Sequence, residues 1–201
     1  TTQANLLLAQ LQEAGVKTRH VWLRFPFFFT LPLLAYARWR GYSYIEVTNG
    51  VRHGYWDFRS SWLMKNIFPW LLLLDASLAG WWKIYLPLWV GESVVCERFV
   101  LDMLVDLAVA VQDQDFFSGY PGKLFFRSLP ARSQIFILFL DEATIRSRRI
   151  DLVGDRELAA RLAAFNALAA SNNYTRLSST ESVLELNQHI QYILFNPYAN
   201  P

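Results

Sequence analysis

The chain has 201 residues, of which 53% are hydrophobic and 18% are charged, and its formal net charge is +2. This composition excludes an intrinsically disordered chain, because disorder requires few hydrophobic residues and many charges. The single cysteine excludes a disulfide framework and a multi-cysteine metal site, and the near-balanced charge gives no reason to propose a nucleic-acid polymer as a partner.

Hydrophobic periodicity and turn residues predict helices and strands in alternation along the chain. The first half is predicted to contain a helix over 1–14, a strand over 16–25, a proline-interrupted helix over 25–40, a hairpin over 41–57 that turns at Asn49-Gly50, and one or two helices over 58–89 broken near Pro69. A strand over 93–97, helices over 99–111 and 122–129, and a strand over 134–140 follow. The last predicted elements are a helix capped by Asp155, a strand over 175–178 and a helix that begins with a capping box of Ser178 and Glu181. This order predicts an α/β fold with a parallel sheet.

No segment fits a transmembrane helix, which needs about 20 apolar residues with few or no charges. The longest apolar stretch, residues 67–90, contains Asp75, Lys83 and two prolines. The first residues are polar and show no basic start followed by an apolar signal core. We therefore expect a cytoplasmic protein without a transmembrane span.

Charged residues follow three of the predicted strands, namely Arg24, the pair Glu97-Arg98, and Asp141. Ligands of parallel α/β sheets bind at the carboxyl ends of the strands. Of the 19 basic residues 15 are arginines, which suit bidentate recognition of phosphate or carboxylate. The strand ends therefore predict a site for a small anionic ligand.

Four segments carry a resemblance to a known family. Residues 1–7 look like the end of a phosphate-binding loop, and residues 87–99 look like a segment in which a proline, a glycine and a strand precede Asp-Arg-Tyr. Residues 138–149 resemble a late strand that leads into an arginine-bearing lid, and residues 156–169 resemble the helix after that lid. Their order is similar to that of the thymidylate kinases, a family of nucleoside-monophosphate kinases.

The resemblance implies a P-loop NTPase type of fold, a three-layer arrangement in which helices flank a parallel sheet. It implies a single domain over 1–201 with a helical insertion at about 25–90 and a lid at about 142–155, lacking the family's first strand and glycine-rich loop. Because that strand is the central one in the family's sheet, we expect disturbed pairing between the strands at 93–97 and 134–140.

The implied reaction transfers the γ-phosphoryl group of ATP to a nucleoside monophosphate, with dTMP as the expected acceptor and Mg²⁺ as the metal. The chain by itself is expected to be inactive, because the missing loop would supply a lysine. A homodimer is left open.

The strand ends and the resemblance together assign expected roles to individual residues. In the family, the acidic residue of the Asp-Arg pair lies near the metal and the arginine holds the acceptor phosphate; here Glu97 replaces the aspartate. The assigned roles are acceptor binding for Arg24, Arg98, Arg52 and Arg59, ATP binding for Thr1, Thr2, Arg146 and Arg148, metal binding for Thr1 and Glu97, and catalysis for Glu97, Arg98 and Arg149. For each arginine, the alternative is a surface ion pair or a solvated side chain.

Several other residues have two interpretations. Tyr55, Trp56 and Phe58 either form a nucleobase pocket with the arginines of this region or pack on the core. Asp102 and Asp106, four residues apart on one helix, are either a functional carboxylate pair or a polar stripe, and the stripe is the commoner meaning. Cys96 is expected to be a small structural residue in a buried strand.

The alternative function is a non-catalytic, P-loop-like protein that binds a partner or a membrane surface through its tryptophan-rich helices. Two departures from the family motivate it. Glu97 stands in place of the aspartate, and residues 75–77 are Asp-Ala-Ser where the thymidylate kinases usually carry an Arg-Gln pair.

Overall fold

The computed structural model describes residues 2–24, 28–172 and 174–196. The α-helices in these ranges are α1 (Thr2–Glu13), α2 (Leu31–Trp39), α3 (Trp62–Asn66), α4 (Phe68–Gly80), α5 (Leu86–Trp89), α6 (Val100–Val111), α7 (Tyr120–Arg127), α8 (Glu142–Arg148), α9 (Leu158–Asn172) and α10 (Val183–Phe195). A π-helical turn, Trp81–Tyr85, joins α4 to α5, and 3₁₀ turns cover Gln114–Phe117 and Ile150–Leu152.

The strands pair into three two-stranded sheets. They are β1 (Thr18–Trp22), β2 (Ser43–Thr48), β3 (Val51–Trp56), β4 (Ser93–Glu97), β5 (Phe136–Phe139) and β6 (Thr175–Ser178). The pairs β1–β4 and β5–β6 are parallel, whereas β2 and β3 form an antiparallel hairpin. The hairpin turns at Asn49 and Gly50, whose positive φ angles of 52° and 78° are those of a tight two-residue turn. The α/β class is thus confirmed.

The strands β4 and β5 belong to separate sheets and share no hydrogen-bonded register in the part of the chain that the structure describes. The predicted disturbance between these two strands is therefore confirmed. Both parallel pairs nevertheless pack against shared helices. On one side, Leu7 of α1 packs with Phe136 of β5, Leu177 of β6 and Ile190 of α10.

The second layer is built around α6, which is the most buried helix of the described chain. Its sequence is apolar apart from Asp102 and Asp106, and most of its remaining residues are buried. Together with Val21 of β1, Ile137 of β5 and Leu168 of α9, it forms the main hydrophobic core. The two aspartates of α6 consequently lie on the one face of this helix that reaches the carboxyl ends of the strands.

Asp75 is a fully buried carboxylate in the middle of α4. Its two oxygens accept hydrogen bonds from the backbone N–H groups of Phe28, Phe29 and Thr30 and from the Thr30 hydroxyl, at 2.7–3.1 Å. A buried charge is tolerated only when such partners surround it. Asp75 therefore fixes the turn that leads into α2, which is a structural role for the segment where the thymidylate kinases usually carry Arg-Gln.

Two local predictions are corrected. The capping box of α10 uses Ser182 and Glu185, not Ser178 and Glu181, because β6 runs to Ser178 and the helix begins later. Cys96 is exposed rather than buried, since β4 lies at an edge of its sheet beside the break. In the described residues, no helix is both long enough and apolar enough to cross a membrane.

Candidate functional site

Two of the predicted arginines meet on one face of α6. Because β1 and β4 are parallel and Trp22 lies opposite Glu97, the residues that follow them emerge at the same edge. Nη2 of Arg24 donates to Oδ2 of Asp106 at 3.1 Å, and Nη1 of Arg98 donates to Oδ1 of Asp102 at 3.4 Å. The aspartates that the sequence favoured as a plain polar stripe therefore hold the two arginines that follow the strands.

A third arginine, Arg161 of α9, joins this arrangement from the opposite helix. Its Nε lies 3.3 Å from Oδ1 of Asp106, and its two Nη atoms lie 2.7 Å from Asp155 and Glu157. Asp106 thus contacts Arg24 with one oxygen and Arg161 with the other. We use the name arginine cluster for the seven residues linked in this way: Arg24, Arg98, Arg161, Asp102, Asp106, Asp155 and Glu157.

The carboxylates of the arginine cluster lie in a mostly desolvated environment. Burial raises the pKa of Asp102, against the opposing effect of Arg98. Burial also raises the pKa of Glu157 to about 7, against the opposing effect of Arg161, and the charges of Asp155 and Asp106 raise it further. The net charge of the arginine cluster therefore depends on pH near neutrality.

The backbone of Arg98 is in the left-handed region, with φ of 58°. For a residue with a Cβ this conformation costs on the order of 1–2 kcal/mol, and such strain is concentrated at functional sites. The carbonyl of Arg98 accepts from the Cys96 thiol at 3.4 Å. Although the residue as a whole is exposed, desolvation of its thiol, with the nearby charges of Asp102 and Glu97, raises the pKa of Cys96 to about 12, so the thiol stays protonated.

Glu97, the predicted metal ligand, lies half-buried at the end of β4. Its Oε2 is 3.5 Å from Nε2 of His20 on β1. Within the described residues, no three His, Cys, Asp or Glu side chains are arranged to hold a metal ion. Thr1 lies outside the described residues, so its predicted role has no structural counterpart here. Thr2 is the first residue of α1 and is exposed.

The predicted lid arginines are all held by local partners. Arg146 donates to the carbonyls of Leu152, Val153 and Asp155 and also binds Glu142, so it clamps the loop after α8. Nη1 of Arg148 donates to the carbonyl of Ser179. Arg149 forms an ion pair with Asp151. The Arg146 clamp includes the backbone of Asp155, a member of the arginine cluster.

The hairpin packs against the loop that follows α8. The Tyr55 hydroxyl accepts from the Arg156 backbone N–H at 3.1 Å, and Glu46 binds the Arg156 guanidinium at 2.8 Å. Gly154 is pressed so closely on Thr48 that a Cβ would lie 2.4 Å from the threonine side chain. This contact explains the glycine at that position.

Of the two interpretations of Tyr55, Trp56 and Phe58, the structure supports packing on the core. Tyr55 and Phe58 are buried, and the Trp56 ring packs on Phe58 at 5.6 Å, so these aromatics belong to the core. Alternate positions of β3 point inward, which the strand pattern alone left undecided. Arg59 forms a bidentate pair with Asp57, at 2.9 and 2.7 Å, and holds the pKa of that carboxyl below its usual range. Arg52 is exposed on β3 opposite Val47.

The structure thus brings together Arg24, Arg98 and the region of Glu97, while Arg149 and Arg59 pair with other residues and Arg52 is exposed on β3. Sequence reasoning missed Arg161 as a member of this site, because Arg161 follows no strand. The available signal was that α6 and α9 are both apolar helices, each with charged residues on one face, and this signal does not show which faces meet.

Comparison with known proteins assigns no family. No protein-family model matches the chain, and no curated protein matches it. The functional argument therefore depends on the arginine cluster and on the sheets that position it.

Proposed function

We propose that this chain belongs to a nucleoside-monophosphate kinase of the thymidylate kinase type. It would transfer the γ-phosphoryl group of ATP to a nucleoside monophosphate, with dTMP as the first acceptor to test. The observation that carries the proposal is that Arg24 and Arg98 meet on one face of α6, at the strand edge beside the break between β4 and β5.

The break between the two parallel sheets supports this proposal. One further parallel strand between β4 and β5 would join both pairs into a single sheet between the existing helical layers. The resemblance places the phosphate-binding loop after such a strand, at the same edge as the ends of β1 and β4. Donor and acceptor phosphates would then lie next to each other, which is the chief requirement of phosphoryl transfer.

The contacts of Arg24 and Arg98 suit an exchangeable anion site. Their side chains are 37% and 43% exposed, and each contacts a carboxylate that a phosphate group could replace. Arginine binds phosphate through two parallel hydrogen bonds, which are stronger than its present contacts of 3.1 and 3.4 Å. The strained backbone of Arg98 is consistent with a side chain held in position for a ligand.

The remaining residues would have supporting roles. Asp106 and Arg161 position Arg24, and Glu97 would face the metal or its bound water. Mg²⁺ neutralises phosphate charge in this chemistry, and a metal carried by the nucleotide phosphates needs few protein ligands, which fits a site with one carboxylate at the strand end. Arg149 and Arg148 are proposed to approach ATP from the segment after β5, with Thr2 at the start of α1.

The test is an assay of the full-length protein for ADP formation from ATP with AMP, GMP, CMP, UMP, dUMP and dTMP in turn. We expect one monophosphate to stimulate ADP formation. Arg98→Gly should lower kcat/KM for that acceptor by at least about 100-fold, because it removes a charge-stabilising donor. Glycine adopts the φ of 58° freely, so the fold should be retained.

The matched control is Arg132→Ala, which removes an exposed arginine outside the arginine cluster. It should leave kcat/KM unchanged. If ATP binds but no monophosphate stimulates ADP formation, the kinase proposal is wrong. Stimulation by a monophosphate other than dTMP would retain the kinase and reject the thymidylate specificity.

A further inference from the structure

A row of large apolar side chains lies exposed along α4 and the turn that follows it. Trp70, Leu74, Leu78 and Trp81 recur at helical spacing, so they share one side of the helix. Trp82 and Trp89 extend the row, and these two side chains are 64% and 69% exposed. We name these six residues the tryptophan face. Contiguous apolar surface of this kind marks an interaction site in most proteins.

The rings of the tryptophan face are in mutual contact. The Trp81 ring lies 6.3 Å from the ring of Trp82 and 6.3 Å from that of Trp89. The Trp70 ring lies 5.7 Å from the exposed ring of Tyr120 on α7. A mostly apolar cavity of about 260 Å³ opens between Trp81 and Trp89. The surface is therefore continuous from α7 across α4 to α5, with an irregular hollow in it.

The charges around this face are of one sign. Three of the four lysines of the chain are exposed in this region: Lys83 lies on the π-helical turn of the face, and Lys65 and Lys123 lie on α3 and α7, which pack against α4. None of the three forms an ion pair with another described residue. Residues 58–91 contain one acidic residue, Asp75, and residues 116–140 contain none. Because Asp75 is buried and bonded to backbone, the face presents no carboxylate of these segments to a partner.

We propose that the tryptophan face docks on an anionic lipid bilayer surface. Indole rings prefer the boundary between headgroups and acyl chains, and lysines beside them attract anionic headgroups. Acyl chains can also fill an irregular apolar hollow, which a rigid partner must match in shape. A second copy of this chain would bring the same positive charges and no carboxylate from these segments to neutralise them, so the charge distribution favours lipid over self-association.

The test is flotation of the full-length protein with vesicles of 70% phosphatidylcholine and 30% phosphatidylserine, against vesicles of phosphatidylcholine alone. We expect flotation with the anionic vesicles at 0.1 M salt and much less with the neutral ones. Lys83→Ala with Lys123→Ala should weaken binding by about 25-fold, since one lysine near an anionic surface contributes about fivefold. Trp82→Ala with Trp89→Ala should remove association with both vesicle types.

The control is Tyr192→Ala with Phe195→Ala, which removes two exposed aromatic side chains from α10, outside the face. This variant should float like the unaltered protein. The proposal is overturned if the unaltered protein does not float with anionic vesicles. It is also overturned if the α10 variant loses vesicle binding to the same extent as Trp82→Ala with Trp89→Ala. If light scattering shows a dimer that Trp82→Ala with Trp89→Ala dissociates, while no vesicle binding occurs, the face is a contact between copies and the lipid proposal is wrong. The readout does not depend on phosphoryl transfer.

Discussion

The arginine cluster and the tryptophan face differ in whether their positively charged side chains are paired with carboxylates. In the cluster, Arg24, Arg98 and Arg161 each contact one or more carboxylates within 3.4 Å. Beside the face, Lys65, Lys83 and Lys123 form no ion pair with a described residue. Arginine is the residue suited to bidentate, partly buried pairs, and lysine is a hydrated point charge on a flexible stem.

Loss of a charged side chain should therefore affect folding differently in the two regions. Inside the cluster, removal of a cation leaves carboxylates together in a desolvated site. At the face, the exposed lysines can be removed with little effect on folding, because exposed charges contribute little. The carboxylate that supports the face from within is Asp75, and it binds backbone instead of a cation. Substitutions in each region can therefore test the contrast.

The largest effect is expected from Asp75→Ala. This change leaves the backbone N–H groups of Phe28, Phe29 and Thr30 without their acceptor in a buried turn. Each unsatisfied buried donor costs about 1–3 kcal/mol, so the free energy of unfolding should fall by about 4 kcal/mol. Urea unfolding followed by far-UV circular dichroism measures it.

The matched control for Asp75 is Asp141→Ala, which removes an exposed carboxylate that caps α8 through Thr144. Its loss should be clearly smaller, because water can take the place of the side chain. Equal losses of unfolding free energy in the two variants would show that the burial of Asp75 makes no extra contribution to stability.

A second large effect is expected from Arg161→Met within the arginine cluster. Methionine keeps most of the apolar volume but leaves Asp106, Asp155 and Glu157 without their common cation. Removal of one partner from a buried ion pair costs about 3–5 kcal/mol, and partial exposure of Arg161 lowers the expected loss of unfolding free energy to about 3 kcal/mol. Urea unfolding at pH 8 measures this loss.

Arg156→Met is the control for Arg161, because Arg156 pairs with Glu46 and its side chain is mostly exposed. Its effect on the unfolding free energy should stay below about 1 kcal/mol. A loss of less than 1 kcal/mol in Arg161→Met would remove the distinction between the cluster and an ordinary surface pair.

The sequence predicted the elements that local patterns determine. The strands β4 and β6 and the hairpin at Asn49-Gly50 follow from apolar runs and turn residues, and their positions are confirmed. Even the break between the sheets could be foreseen, because it followed from the order of the strands in the resemblance. The start of α10 could not, since two Ser-x-x-Glu pairs, at 178 and 182, compete and the end of β6 decides between them.

The candidate site was predictable only in part, for a related reason. Arg24 and Arg98 could be found because each follows a strand. The contact of Asp106 with Arg161 joins helices that are far apart in the chain, and helical periodicity shows which residues share a face without showing which faces meet. The same limit applies to Tyr55, because the alternation of side chains along a strand shows which residues share a face. It does not show which of the two faces points inward.

The smallest and most specific effect is expected from Glu157→Gln, read as a function of pH. In the folded protein, burial raises the pKa of Glu157 to about 7, whereas the unfolded value for glutamate is about 4.3. The folded state therefore holds this proton more tightly, and the stability that Glu157 contributes is present below pH 4.3 and is lost as the pH rises through 7. Glutamine cannot titrate, so its variant should lack this loss.

The unfolding free energy of Glu157→Gln minus that of the unaltered protein should thus rise by about 1–2 kcal/mol between pH 5 and pH 8, after allowance for the partial exposure of the side chain. Urea unfolding at pH 5, 6, 7 and 8 measures this rise. Glu185→Gln is the control, because the capping interaction with Ser182 lowers the pKa of Glu185 and confines its titration to lower pH. A difference for Glu157 that stays flat, as in the Glu185 control, would mean that Arg161 keeps this carboxylate ionised throughout, and the arginine cluster would then have a fixed charge.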